Sequence, residues 1–185
     1  YMAKKGEVDY SVSQDYDSLV FGCPLLVRNL SIAGKRKKAG RFAWQVVKPE
    51  ILSLADNLNH LGLDIDQLIV LAILVGTDYN PGGVKGIGPK TALKLVKEFS
   101  DFDSVFEKAK WQEHSDVDWK EIFFTIKKMP TTDDYDLKWG KVRESELTEF
   151  LVKEHDFSED RVKSKLDSLM KKKEDQKQTG LGSFF

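Results

Sequence analysis

The chain has 185 residues, 41% hydrophobic and 32% charged, with a net charge of −1 and a pI near 6.4. That suffices for one compact domain with an appendage, and it excludes a uniformly basic nucleic-acid coat, so any DNA contact must come from local patches. A single cysteine, Cys23, excludes an internal disulfide and a cysteine-based zinc cage, while the absence of any apolar run near 20 residues or of a readable signal peptide predicts an intracellular protein that does not engage membranes.

Tyr1-Met2-Ala3-Lys4-Lys5-Gly6 reads as the last turn of a helix closed by glycine, which suggests part of a longer protein. Residues 7–13 alternate Val8, Tyr10 and Val12 with polar neighbours and predict a strand. Two more strands are expected over 25–32 and 42–47, joined as a hairpin by the basic, glycine-bounded segment 33–40. Pro49 suits a first helical position and Gly62 a helix end, with Leu52, Ala55, Leu58 and Leu61 as the apolar stripe. Asp64 and Gln67 form a capping-box pattern before the run 68–75, which is apolar all round and predicts a buried helix. A glycine-rich segment follows, and Pro89 opens another helix with Ala92, Leu95, Val96 and Phe99 inward. Residues 101–155 read as several short helices. Ser158 is placed to cap a last amphipathic helix carrying Val162, Leu166 and Leu169, and the composition turns to a polar linker after Met170. Cys23 is read as a small buried residue. His60, His114 and His155 lack partners at ligand spacing, and Trp44, Trp111, Trp119 and Trp139 are read as core or half-buried.

Four constellations carry chemistry. Asp15 and Asp17, two apart at a strand end, point to the same side; two such carboxylates repel unless a cation intervenes, and oxygen donors without Cys or His suit Mg²⁺ or Mn²⁺. A solvated turn is the plain alternative. Asp78 is delivered by the most apolar helix, is expected to be partly buried, and sits at the negative helix end, where a carboxylate wants a cation. In residues 84–92, glycines allow close backbone approach to a phosphate, and a helix N-terminus follows. Lys90, Lys94 and Lys97 then share one face suited to sequence-independent backbone binding. The tail 178–185 ends a polar stretch with Leu181, Phe184 and Phe185, a small apolar plug for a partner's pocket, with Gln178 free to hydrogen-bond. Lys35, Arg36, Lys37, Lys38 and Arg41 are equally a DNA clamp or a solvated tip.

In this order and spacing the four motifs resemble the flap endonucleases of the XPG-type nuclease family, the archaeal form most closely, from Ser13 to Phe185. The resemblance implies an α/β fold, a PIN-like nuclease core with a mixed sheet flanked by helices. It makes residues 1–170 the C-terminal part of that core and 171–185 a flexible tail. Asp15, Asp17 and Asp78 would be metal ligands serving mainly one of two Mg²⁺ ions. Residues 76–99 would form the helix–two-turn–helix, with Lys85, Gly86, Gly88, Lys90, Thr91 and Lys94 on the DNA and a K⁺ ion held by loop carbonyls. Gln178, Leu181, Phe184 and Phe185 would bind the sliding clamp (PCNA). The implied activity is hydrolysis near the junction of a 5′ flap and duplex DNA. The family's other acidic ligands, its catalytic Lys and Arg and its helical arch fall upstream of Tyr1, so the chain by itself is expected to be inactive. A non-catalytic DNA-binding module and a clamp adaptor remain the rival readings.

Overall fold

The computed structural model describes residues 1–32, 34–37, 44–138 and 140–178, in two compact units, Tyr1–Asp133 and Asp134–Phe185. In the first unit, α1 (Met2–Lys5) is closed by Gly6, and Lys5 pairs with Asp133 at 2.7 Å and with Glu7 at 2.8 Å. There follow β1 (Ser11–Val12), α2 (Asp17–Val20), β2 (Leu25–Arg28), β3 (Gly34–Lys37), β4 (Trp44–Val47) and β5 (Glu50–Ser53). The helical part is α3 (Leu54–Leu61), α4 (Ile65–Val75), α5 (Pro89–Glu98), α6 (Phe102–Lys108), a 3₁₀ turn at Trp111–Glu113, and α7 (Trp119–Lys127). In the second unit, α8 (Glu144–Thr148) leads through a wide turn at Glu149–Glu154 to α9 (Glu159–Gln178), which buries Val162 and Leu166.

A mixed three-stranded sheet runs in the order β1-β2-β5, with helices packed beside it. β1 is parallel to β2, with Ser11 opposite Leu26; β2 is antiparallel to β5, with Leu26 opposite Leu52. The sheet's shape departs from the sequence expectation in three ways. Of segment 7–13 only Ser11 and Val12 are paired as strand, because a strand exists only as far as its partner reaches; Tyr10 and Val12 stay 45% and 53% exposed. The strand at 25–32 stops at Arg28, because Asn29 turns into the left-handed region with φ 62°. The hairpin exists, but its first strand is the basic segment itself: Gly34 lies opposite Val47 and Lys37 opposite Trp44.

Pro49 does not open a helix. Residues 50–53 are taken by β5, where pairing with β2 wins over the helical pattern, and Ser53 caps α3 by accepting from the Asp56 N–H at 3.2 Å. The capping box of α4 forms as read, with both reciprocal Asp64–Gln67 bonds present. Trp44 is 69% exposed rather than core, since it faces outward from the hairpin. Trp111 is buried, and its indole N–H donates to the Val117 carbonyl at 2.7 Å. Cys23 is buried as expected. Trp139 lies outside the described residues. The last helix continues beyond Met170 to Gln178.

The core gathers around α4. Val70, Ile73 and Leu74 are 0% exposed, and burying each contributes about 1.5–3 kcal/mol. α5 and α7 pack against this helix, and α2 contacts it as well. Beyond it, Phe106 stacks on Trp119 at 4.4 Å and meets Trp111 edge-on at 5.3 Å, closing the helical layer with aromatic rings. Among the described residues no single helix is long and apolar enough to cross a membrane; α3 and α4 reach that length only together, bent by 81°.

The chain leaves α4 through a close backbone crossing. A Cβ on Gly83 would sit 2.4 Å from the Val75 carbonyl carbon and oxygen, and its φ of +56° already disfavours a side chain. Gly88, with ordinary φ, has open space around it. Gly83→Ala is therefore expected to cost about 2–4 kcal/mol in urea unfolding, and Gly88→Ala well under about 1 kcal/mol.

Candidate metal centre and lysine face

The acidic turn begins where β1 ends. The Ser13 backbone N–H bonds to the Val27 carbonyl at 3.2 Å, and the Asp15 N–H donates to the Ser13 hydroxyl at 3.1 Å. Tyr16 precedes α2, so Asp17 is the first residue of that helix, which Leu19 anchors in the core. Arg28, the last residue of β2, reaches this turn: its Nε donates to the Gln14 carbonyl at 3.1 Å, and another guanidinium nitrogen donates to the Tyr16 hydroxyl.

Asp78 comes from the opposite direction. α4 ends at Gly76, and Thr77 to Asn80 form a tight turn. Asn80 holds that turn: its amide donates to the Ile73 carbonyl at 2.7 Å, and its side-chain oxygen accepts from the Thr77 hydroxyl at 2.6 Å. One carbonyl left open at the helix end is thereby satisfied. Asp78 is exposed, not partly buried as expected, because the helix ends before it and the turn carries it outward.

The two segments meet electrostatically. The Asp17 carboxyl takes up its proton above the ordinary carboxylate range; crowding by surrounding protein is the larger cause, followed by the negative charges of Asp78 and then Asp15. Among the described residues no three His, Cys, Asp or Glu side chains form a closed metal cage. The arrangement is thus a shared acidic field of exposed carboxylates, not a finished coordination sphere. Its donors are oxygen only, which fits a hard divalent cation, and the raised proton affinity of Asp17 marks where added positive charge is favoured.

The glycine-rich segment continues from this turn. The Val84 N–H bonds to the Leu74 carbonyl at 2.9 Å, and Val84 is buried, so the loop is tied to the end of α4. Lys85, Gly86, Gly88, Lys90, Thr91 and Lys94 are all exposed, as is Lys97. Opposite them on α5, Ala92, Leu95 and Val96 are buried. None of these four lysines has an ion-pair partner among the described residues. The side chains of Lys35, Arg36, Lys37, Lys38 and Arg41 lie outside what is described, as do Leu181, Phe184 and Phe185; Gln178 is the last residue of α9.

Sequence reading attached no role to Arg28 or Asn80. Both act through contacts between separate segments, and no periodicity or spacing signals such contacts.

Residues 1–78 match the XPG I-region family model. The whole chain is similar to archaeal flap endonuclease 1, being 52% identical over 185 residues to that of Pyrococcus abyssi, all of this chain and 52% of the relative. Flap endonuclease-1 from Methanococcus jannaschii has a structure with TM-score 0.73 and 40% identity, covering 91% of this chain and 48% of that one. The catalytic core of Rad2 in complex with DNA substrate shares the fold, with TM-score 0.63 and 20% identity over 91% of this chain and 58% of that one. The chain spans about half the length of the curated relatives it matches.

A raised Asp17 pKa sets the sign of a pH effect. The folded state holds this proton more tightly than the unfolded chain, so the favourable contribution is complete below the ordinary carboxylate pKa and is lost as pH rises through the folded value. At neutral pH the ionised group opposes folding. Asp17→Asn should therefore raise Tm at pH 7 without divalent ions by roughly 1–2 °C, and calorimetry at pH 4 should find the gap reduced.

Proposed function

We propose that this chain is part of a divalent-metal-dependent, structure-specific nuclease, a 5′ flap endonuclease and 5′–3′ exonuclease acting in DNA replication, including Okazaki fragment maturation, and in repair. The observation that carries the reading is that Asp17 lies within reach of the charges of Asp78 and Asp15, with lysines that have no ion-pair partner among the described residues on the segment that follows Asp78. Similarity to archaeal flap endonuclease 1 along the whole chain supports it.

In this reading Asp15, Asp17 and Asp78 hold mainly one of two Mg²⁺ ions, with Mn²⁺ as a substitute. Bound divalent ions supply an activated water and charge stabilisation at the leaving oxygen of a phosphodiester. The chain's own residues position the substrate. Lys85, Lys90 and Lys94 meet backbone phosphates, Gly86 and Gly88 let the DNA approach the loop, and Thr91 adds a hydroxyl donor. Contacts of this kind read duplex shape and phosphate position, not base sequence, as recognition of a branched 5′-flap DNA requires. A K⁺ ion at the loop carbonyls would steady the same loop. Gln178, Leu181, Phe184 and Phe185 would dock on the sliding clamp (PCNA) as a short segment that orders on contact. An archaeal setting would make the protein cytoplasmic.

Three carboxylates without a basic electrophile are a poor catalyst, so this chain alone should not cut a 5′-flap substrate in Mg²⁺; robust cutting by it would overturn that expectation. In the complete enzyme, Asp15→Ala should lower flap cleavage more than about 100-fold while leaving clamp binding intact. Deleting residues 178–185 should do the reverse. If Asp78→Ala left cleavage unchanged, the metal assignment would fail and a DNA-binding module would be the better description.

The lysine face makes a separate prediction. Lys90→Ala and Lys94→Ala should each reduce the slope of log affinity against log salt by about 1, equally for DNA of any sequence. Fluorescence anisotropy at several salt concentrations measures it.

A further inference from the structure

We infer that Arg28 is a positioning residue for the acidic turn: it fixes residues 14–17 so that Asp15 and Asp17 can take a divalent cation together. The inference rests on the metal-site reading above and adds to it a residue that belongs to none of the motifs.

One guanidinium grips the turn on both sides of Asp15. Its Nε donates to the Gln14 carbonyl at 3.1 Å, just before Asp15. A second nitrogen donates to the Tyr16 hydroxyl, just after it. The guanidinium carbon also lies 4.3 Å from the centroid of the Tyr16 ring, a cation–π contact. Tyr16 is the residue from which α2 starts, so holding it sets where Asp17 enters that helix.

The grip comes from a rigid element. Arg28 ends β2, the central strand of the sheet, next to buried Val27 and Leu26, and its own backbone is paired opposite Glu50. The turn is tied at its two ends, by the Ser13 N–H to the Val27 carbonyl and by the Tyr16 and Asp17 carbonyls that accept from the first turn of α2; between them Asp15, Tyr16 and Asp17 are exposed, and the Asp15 N–H donates to the Ser13 hydroxyl. Two like charges left on a loose turn would separate; a planar fork reaching both neighbours of Asp15 prevents it.

Mn²⁺ titration of the ¹⁵N-labelled chain tests this, read by paramagnetic broadening of the Asp15, Asp17 and Asp78 amides, alongside hydrogen exchange without metal. Arg28→Met is expected to weaken Mn²⁺ binding about 10-fold and to speed exchange in residues 14–17, with the Leu26 and Val27 amides still protected. Arg28→Lys keeps the charge but not the two-sided fork and is expected to remain weakened. Unchanged affinity and unchanged exchange in Arg28→Met would overturn the inference. Were Leu26 and Val27 to lose protection as well, Tyr16→Phe, which removes one acceptor and leaves the strand alone, decides through the same two readouts. Should the parent chain show no broadening at these aspartates, the metal-site reading fails, and the claim that Arg28 orders the turn stands or falls on exchange alone.

Discussion

Helix α4 carries an unbroken apolar run from Leu68 to Val75, and packing must cover it: Ile69, Val70, Ile73 and Leu74 are buried. α5 and α7 pack against it and α2 contacts it, so the positions of the candidate site residues follow from how this one helix is enclosed. Its far end must nevertheless reach the surface, and there the backbone leaves through Gly76 and crosses back at Gly83 with no room for side chains. Asn80 fastens the resulting turn to the helix by bonding the Ile73 carbonyl. Asp78 is carried on that turn, outside the core yet indexed to it. The most hydrophobic segment of the chain thereby fixes one of its most polar sites.

The near-zero net charge conceals a separation of sign. At the end of α4 the proton affinity of Asp17 is raised, first by desolvation and then by the negative charges of Asp78 and Asp15. On the segment that follows, four lysines stand without acidic partners among the described residues. Neither group neutralises the other, although pairing them would relieve both. Such an arrangement opposes stability locally, and the burial around α4 sustains it. Groups left uncompensated in this way have their favourable interactions available for other charges, a cation for the aspartates and phosphates for the lysines.

Local order was legible wherever one segment decides its own structure. The capping box at Asp64 and Gln67, the buried run that follows and the proline start of α5 are settled by contacts within a few residues, and each formed as read. The lysine face of α5 was legible for the same reason, since helical spacing alone places Lys90, Lys94 and Lys97 opposite Ala92, Leu95 and Val96. Strands were read less well. The pairing of β5 with β2 took residues 50–53 from an expected helix, and the basic segment became a strand of its own hairpin, because a strand depends on a partner outside its own segment.

The candidate site divides along the same line. The amino-acid sequence by itself determined which carboxylates and lysines were available and which helix would carry Asp78, because residue type and periodicity are local properties. Tertiary structure alone decided that Asp17 feels the charge of Asp78, sixty-one positions away, that Asp78 emerges into solvent, and that Arg28 holds both neighbours of Asp15. Those are distances between segments, set by how α2, β2 and α4 pack, and no pattern along a chain encodes a distance across it.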